Sequence, residues 1–125
     1  MRAFADLSAE GRASFYRCHA FTTHTLYDAR LAAGRFLAAN AGLLGEKARP
    51  HLAKAAELYE RLGRSIRDLR ERKEAFFGYD APKRSNDIAA WTLDVRRREI
   101  EVLTEAHKLD AAAMAEIDRA SAAMG

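Results

Sequence analysis

The most regular pattern of apolar positions runs through "ARPHLAKAAELYERLGRSIRDLRERKEAFFGYD". Leu52, Ala55, Tyr59, Leu62, Ile66, Leu69, Lys73 and Phe76 follow one another at alternating spacings of three and four. That heptad register is the pattern of a helix presenting one seam to a bundle. Pro50 suits a first turn, where its missing N–H is no loss, and Gly78 suits a helix end, where a left-handed residue is needed. Off the seam, Glu57 and Arg61, Glu60 and Arg64, and Arg67 and Glu71 stand four apart. Such pairs add roughly a few tenths of a kcal/mol each. The segment "GYDAPKRSND" then reads as the main loop.

Two further stretches have helical periodicity. In the last, Val95, Val102, Leu103, Ala106, Leu109, Ala113, Met114 and Ile117 fall on one face, with Asn86, Asp87 or Thr92 as candidate caps. Trp91, just upstream, is placed to close one end of the core. The first stretch is less regular. Ser8 can cap it, and Thr22–Thr23 weaken its propensity enough to mark a kink or a second start. From there to Leu44 a single polar stripe of His24, Asp28 and Arg35 interrupts Leu, Phe, Tyr, Ala and Gly, which predicts the most buried helix of the three. Gly34 among alanines predicts close approach of a neighbour, and the short "GEKAR" turn predicts that helices one and two run antiparallel. The expectation is an all-α fold: one domain over 1–125, an up-down-up bundle of three long antiparallel helices at about 9–44, 49–77 and 87–122. It becomes four helices if the first breaks at Thr22–Thr23.

Composition narrows the function classes. The chain has 125 residues, 49% apolar and 31% charged, with two prolines and seven glycines, which suits a single helical domain. Its net charge of +3 comes from acids and bases interleaved along the helices, a solvated face rather than a nucleic-acid footprint, so nucleic acid is not the expected partner. Cys18 is the only cysteine, which excludes an intrachain disulfide framework and a multi-cysteine zinc site. "MRAFADLSAEGRASF" lacks a signal-peptide apolar stretch, and no run approaches the roughly 20 apolar residues of a membrane span. A soluble cytoplasmic protein, not bound to a membrane, is expected.

Arg30 lies opposite the polar stripe among Leu26, Ala33, Leu37 and Leu44. A guanidinium there needs a carboxylate, because an unpaired buried charge is costly. Glu99 and Asp110 project into the apolar arc of the last helix and are the natural partners, so Arg30 is expected to form a core ion pair that fixes register. His24 with Asp28, and His107 with Asp110, each share a helix face. Bundle metalloproteins instead use a Glu-x-x-His element on facing helices, and none occurs here, so solvated pairs are the preferred reading and no cofactor is expected. A small-molecule or metal site in the bundle core near His24, Asp28, Arg30, Glu99, His107 and Asp110 is the alternative. Cys18 and His19 are neighbours pointing about 100° apart, which is no catalytic dyad. Cys18 is expected to be buried as a small apolar residue, with a pairing to His24 or His107 across the fold left open. Arg12 and His19, and Arg17 and His24, each have six residues between them. This spacing resembles the Arg-x(4–6)-His signature of the all-helical ribonucleases of toxin and defence systems, which makes ribonuclease activity a second alternative.

Three phrases, "YDARLAAGRFLAANAGLL", "HLAKAAELYERLGRSIRDL" and "LDVRRREIEVLTEAHKLDAAAMAEIDRA", resemble the C-terminal helical region of bacterial papain-like or bacteriocin-peptidase-like cysteine enzymes, including the butirosin-biosynthesis acyltransferase type. The similarity spans residues from about 20 to the end, with Asp28, Arg30, Arg35 and Phe36 in the matching phrase. The catalytic half with its Cys and His has no counterpart here, so no catalytic residue carries over. The resemblance implies an accessory helical domain, free-standing or part of a longer enzyme. The expected function is therefore non-enzymatic: a bundle acting by protein association, either with itself as a homodimer or as an accessory to a partner enzyme.

Overall fold

The computed structural model describes residues 6–71 and 91–125, with the side chains of 69–71 outside that description. These residues form three helices and no strand: α1 (Ala9–Asn40), α2 (Arg49–Glu71) and α3 (Leu93–Met124). The loop reading for "GYDAPKRSND", the helix end near 77, Gly78, and the seam positions Lys73 and Phe76 lie outside the described residues, as do the caps Asn86 and Asp87.

Ser8 starts α1 as expected, its hydroxyl accepting from the Gly11 N–H at 3.0 Å. The helix does not break at Thr22–Thr23. Thr23 donates its hydroxyl to the His19 carbonyl at 2.8 Å, and Thr25 donates to that of Phe21 at 2.9 Å. These hydroxyls bond within the helix instead of competing with it. α1 ends at Asn40, not near 44. The Asn40 amide donates back to the Phe36 carbonyl at 2.7 Å, and the turn after it is completed by Gly45 at φ 91, a backbone state that a side chain disfavours. α3 starts at Leu93 rather than near 87, because Thr92 is the cap: its hydroxyl accepts from the Val95 N–H at 3.3 Å.

α2 packs closely against both other helices. Its seam residues Leu52, Ala55, Tyr59, Leu62 and Ile66 are all buried, and Leu58 joins Ala106, Leu109 and Ala113 in the central cluster. Gly34 lets α1 approach: a Cβ there would stand 3.2 Å from the Ala56 carbonyl oxygen. Smaller clusters close the ends, Tyr16, Ala20 and Trp91 at one and Ala41, Ala48, Leu52 and Ala120 at the other.

One expectation is overturned. α1 is not the most buried helix; only Tyr16, Ala20, Thr23 and Gly34 within it are buried, and α2 takes the central place. Its apolar residues ring the axis, but its neighbours cover one side alone. Met114, expected on the core face of α3, is 48% exposed, although the Tyr59 hydroxyl donates to its sulfur at 3.4 Å. Of the four-apart pairs on α2, Glu60–Arg64 forms and Glu57 pairs with Lys54, while the Glu71 side chain expected to meet Arg67 lies outside the described residues.

Candidate functional site

The predicted site residues do not converge. Arg30 pairs with Asp110 through Nε, and its Nη2 donates to the second carboxylate oxygen at 3.3 Å. Its guanidinium also lies 5.6 Å from the Tyr59 ring centre, so all three helices meet there. The Asp110 hydrogen bond raises the Arg30 pKa above its ordinary value, and burial together with Asp110 raises that of Tyr59. Yet the pair is not in the core: about a third of each side chain, 32% and 28%, is exposed. It is a lateral clamp between α1 and α3. His24 pairs with Asp28 at 3.1 Å on the surface of α1, and His107 is exposed on α3. Among the described residues, no group of three or more His, Cys, Asp or Glu side chains is placed to hold a metal ion.

Glu99 is not a partner of Arg30. It is 1% exposed and belongs to a buried cluster at the Trp91 end of the fold. Its Oε2 accepts from the Trp91 indole N–H at 2.8 Å and lies 2.9 Å from His19 Nε2. A carboxylate oxygen only accepts, so His19 donates through that nitrogen. The His19 ring stacks on Trp91 at 5.0 Å, Tyr16 meets Trp91 edge-on at 5.1 Å, and Arg96 donates to the Trp91 carbonyl at 2.9 Å. The cluster ties α1 and α3 together through Trp91. Arg12 and Arg17 take no part in it, Arg17 donating instead to Ser14 at 3.1 Å.

Burial and the nearby Glu99 carboxylate push the Tyr16 phenol up to about 12 from its ordinary 10.0. The sign follows directly. An unfolded chain loses this proton near pH 10 while the folded chain keeps it, so the stabilisation is complete below pH 10 and is lost as pH rises towards 12. Stability measured by urea unfolding is expected to fall across that window, and Tyr16→Phe is expected to flatten most of the slope. Tyr59 leaves a smaller slope of the same sign. An unchanged slope in Tyr16→Phe contradicts the assignment.

The larger feature is the outer face of α1, which sequence periodicity did not single out. Phe15, Cys18, Thr22 and Thr25, continued by Ala29, Ala32, Phe36 and Ala39, recur at alternating spacings of three and four. Every one of them is exposed, Phe15 at 55% and Phe36 at 66%, and none carries a charge. Cys18 is thus not the buried residue expected from the sequence. Leu43, in the turn beyond the helix, extends the line and is 77% exposed. The exposed faces of α2 and α3 differ, being crowded with Lys54, Glu57, Glu60, Arg61 and Arg64 on one and with Asp94, Arg97, Arg98, Glu101 and Glu105 on the other. A groove of about 290 Å³ beside Phe15, Cys18 and Thr22 flanks one end of this seam, and one of about 200 Å³ beside Phe36, Leu43 and Leu44 flanks the other. The signal that reveals the seam is its absence of charge over about three and a half heptads, from Phe15 to Ala39. It was hidden because the remaining faces of α1 are also largely apolar.

No family model matches the chain, and no curated protein or solved structure matches it either.

Proposed function

We propose that this protein acts non-enzymatically, by association with another protein chain along the outer face of α1. A single observation carries the reading: one helix of a small domain exposes a full-length heptad seam without a charge. Contiguous exposed apolar surface rimmed by polar residues marks an interaction site, and an apolar a/d seam is the surface a second helix packs on. The scaffold behind it is read as an up-down-up bundle. Gly34 beside Ala56 and Leu31 over Gly63 support that reading, because the earlier position on α1 meets the later one on α2. His51 beside Glu116 at 2.7 Å likewise joins the start of α2 to the far part of α3. The expected setting is the cytoplasm. No helix among the described residues is long and apolar enough to cross a membrane.

Self-association is the first form of this function to test. Light scattering after gel filtration at tens of micromolar is expected to give a mass above the 13.9 kDa of one chain. Ala32→Glu places a charge in the middle of the seam without touching the core, and it should return the mass to that of one chain with helicity unchanged. A wild-type chain that is strictly monomeric, or an Ala32→Glu variant that still associates, contradicts the reading.

A further inference from the structure

Resting on that reading, we infer that the occupant of the α1 seam is a second copy of this chain, packed antiparallel about a two-fold axis between Ala29 and Ala32. Charge at the edges of the seam points to it. One edge carries Ser14, Phe21, Asp28 and Arg35, spaced seven apart; the other carries His19, Leu26, Ala33 and Asn40. Asp28 is 60% exposed beyond its pairing with His24, and Arg35 is exposed with no ion pair among the described residues. In an antiparallel pair of helices like edges meet. Asp28 of each copy then faces Arg35 of the other, twice, through the symmetry. In a parallel pair each edge meets the opposite one, where no acid stands to receive Arg35.

The seam itself is consistent with the same axis. Centring it there sets Ala29 against Ala32 of the second copy, Thr25 against Phe36, Thr22 against Ala39 and Cys18 against Leu43. Small residues meet at the middle, where two helix backbones come closest, and each bulky residue meets a small one. The two grooves at the ends of the seam exchange occupants: Leu43 of the second copy reaches the groove beside Cys18, and Phe15 of the first approaches the groove beside Phe36. The face is self-complementary, as a two-fold interface requires. A stable dimer needs about 800 Å² from each partner, roughly a tenth of the 8156 Å² surface of this chain, which a face running the length of a 32-residue helix can supply.

Charge exchange tests it. Asp28→Arg and Arg35→Asp each turn two attractive contacts into two repulsive ones, and each is expected to weaken dimerisation by about tenfold in sedimentation equilibrium at low salt. Mixing the two variants should restore it, because every contact in the mixed dimer is attractive again. The double variant carrying both changes should also recover. The single thiol gives an independent reading. Spin labels on Cys18 should lie roughly 38 Å apart, since antiparallel packing offsets the two labels by about 25 residues at about 1.5 Å each. A parallel pair would bring them side by side. Wild-type dimers that ignore both charge reversals, fail to recover on mixing, or give a short label distance overturn the antiparallel pairing while leaving the seam reading intact. Dimers that survive Ala32→Glu overturn the seam reading itself, and a strictly monomeric wild type overturns both.

Discussion

Truncation of Glu99 to alanine is expected to destabilise the fold by about 3–5 kcal/mol, the range for removing one partner from a buried charged or hydrogen-bonded set. Two donors converge on its Oε2, from Trp91 and His19, and both lose their acceptor at once. The indole is buried, so no water readily replaces the carboxylate, and a buried donor left unsatisfied carries its full desolvation penalty. Glu99→Gln keeps the length and one acceptor oxygen, and it should recover more than half of the loss. Trp91 is the only tryptophan, so its fluorescence during urea unfolding reports the transition and the local environment together. A loss below about 1 kcal/mol in Glu99→Ala, the worth of an ordinary exposed pair, would show that the cluster does not hold α1 to α3.

Leu62→Ala is expected to cost about 2–5 kcal/mol. Leu62 is 0% exposed at the centre of the main cluster, where α2 faces both other helices and relaxation from either side is restricted. For a domain whose whole stability is about 5–15 kcal/mol, that is a large fraction. Leu43→Ala provides the contrast. The same chemical truncation at a 77% exposed position in the turn should change the stability of the single chain by less than about 0.5 kcal/mol. Urea unfolding of the two variants at one low protein concentration separates burial from residue type. Equal losses would contradict the placement of the core.

The difference between those two leucines marks how far the sequence reaches. On α2, charges occupy every face except one, so spacing alone identifies Leu52, Ala55, Tyr59, Leu62 and Ile66 as inward, and all five are buried. On α1 no such contrast exists. Phe15 and Tyr16 are neighbouring aromatic residues, yet the more apolar phenylalanine is 55% exposed and the tyrosine 1%. Which side turns inward is decided by where α2 and α3 lie, a tertiary fact that periodicity on one helix does not hold.

The site residues divide along the same line. Local pairs such as His24–Asp28 follow from spacing on a single helix. The partner of Arg30 does not, because Glu99 and Asp110 both project from the arc of α3 that faces it, and the choice between them depends on the axial register of two helices. His19–Glu99 and Arg30–Asp110 share one offset of 80 residues, and that offset settles both partners together. The same register assigns His19, which the sequence offered only as a neighbour of Cys18 or a companion of Arg12, to the buried acid. Trp91 at that end of the core was legible; its indole N–H as the second donor to Glu99 was not, since it depends on a turn just before α3.

The central claim is that the uncharged face of α1 is covered by protein when the molecule works. Because the only thiol lies on that face, its reaction rate with a small disulfide reagent, followed across protein concentrations from about one to several hundred micromolar, tests the claim most directly. Cys18 is expected to react freely when dilute and to become progressively protected as the mass of the particle rises. Association that leaves the thiol equally reactive at every concentration would place the interface elsewhere on the molecule and contradict it.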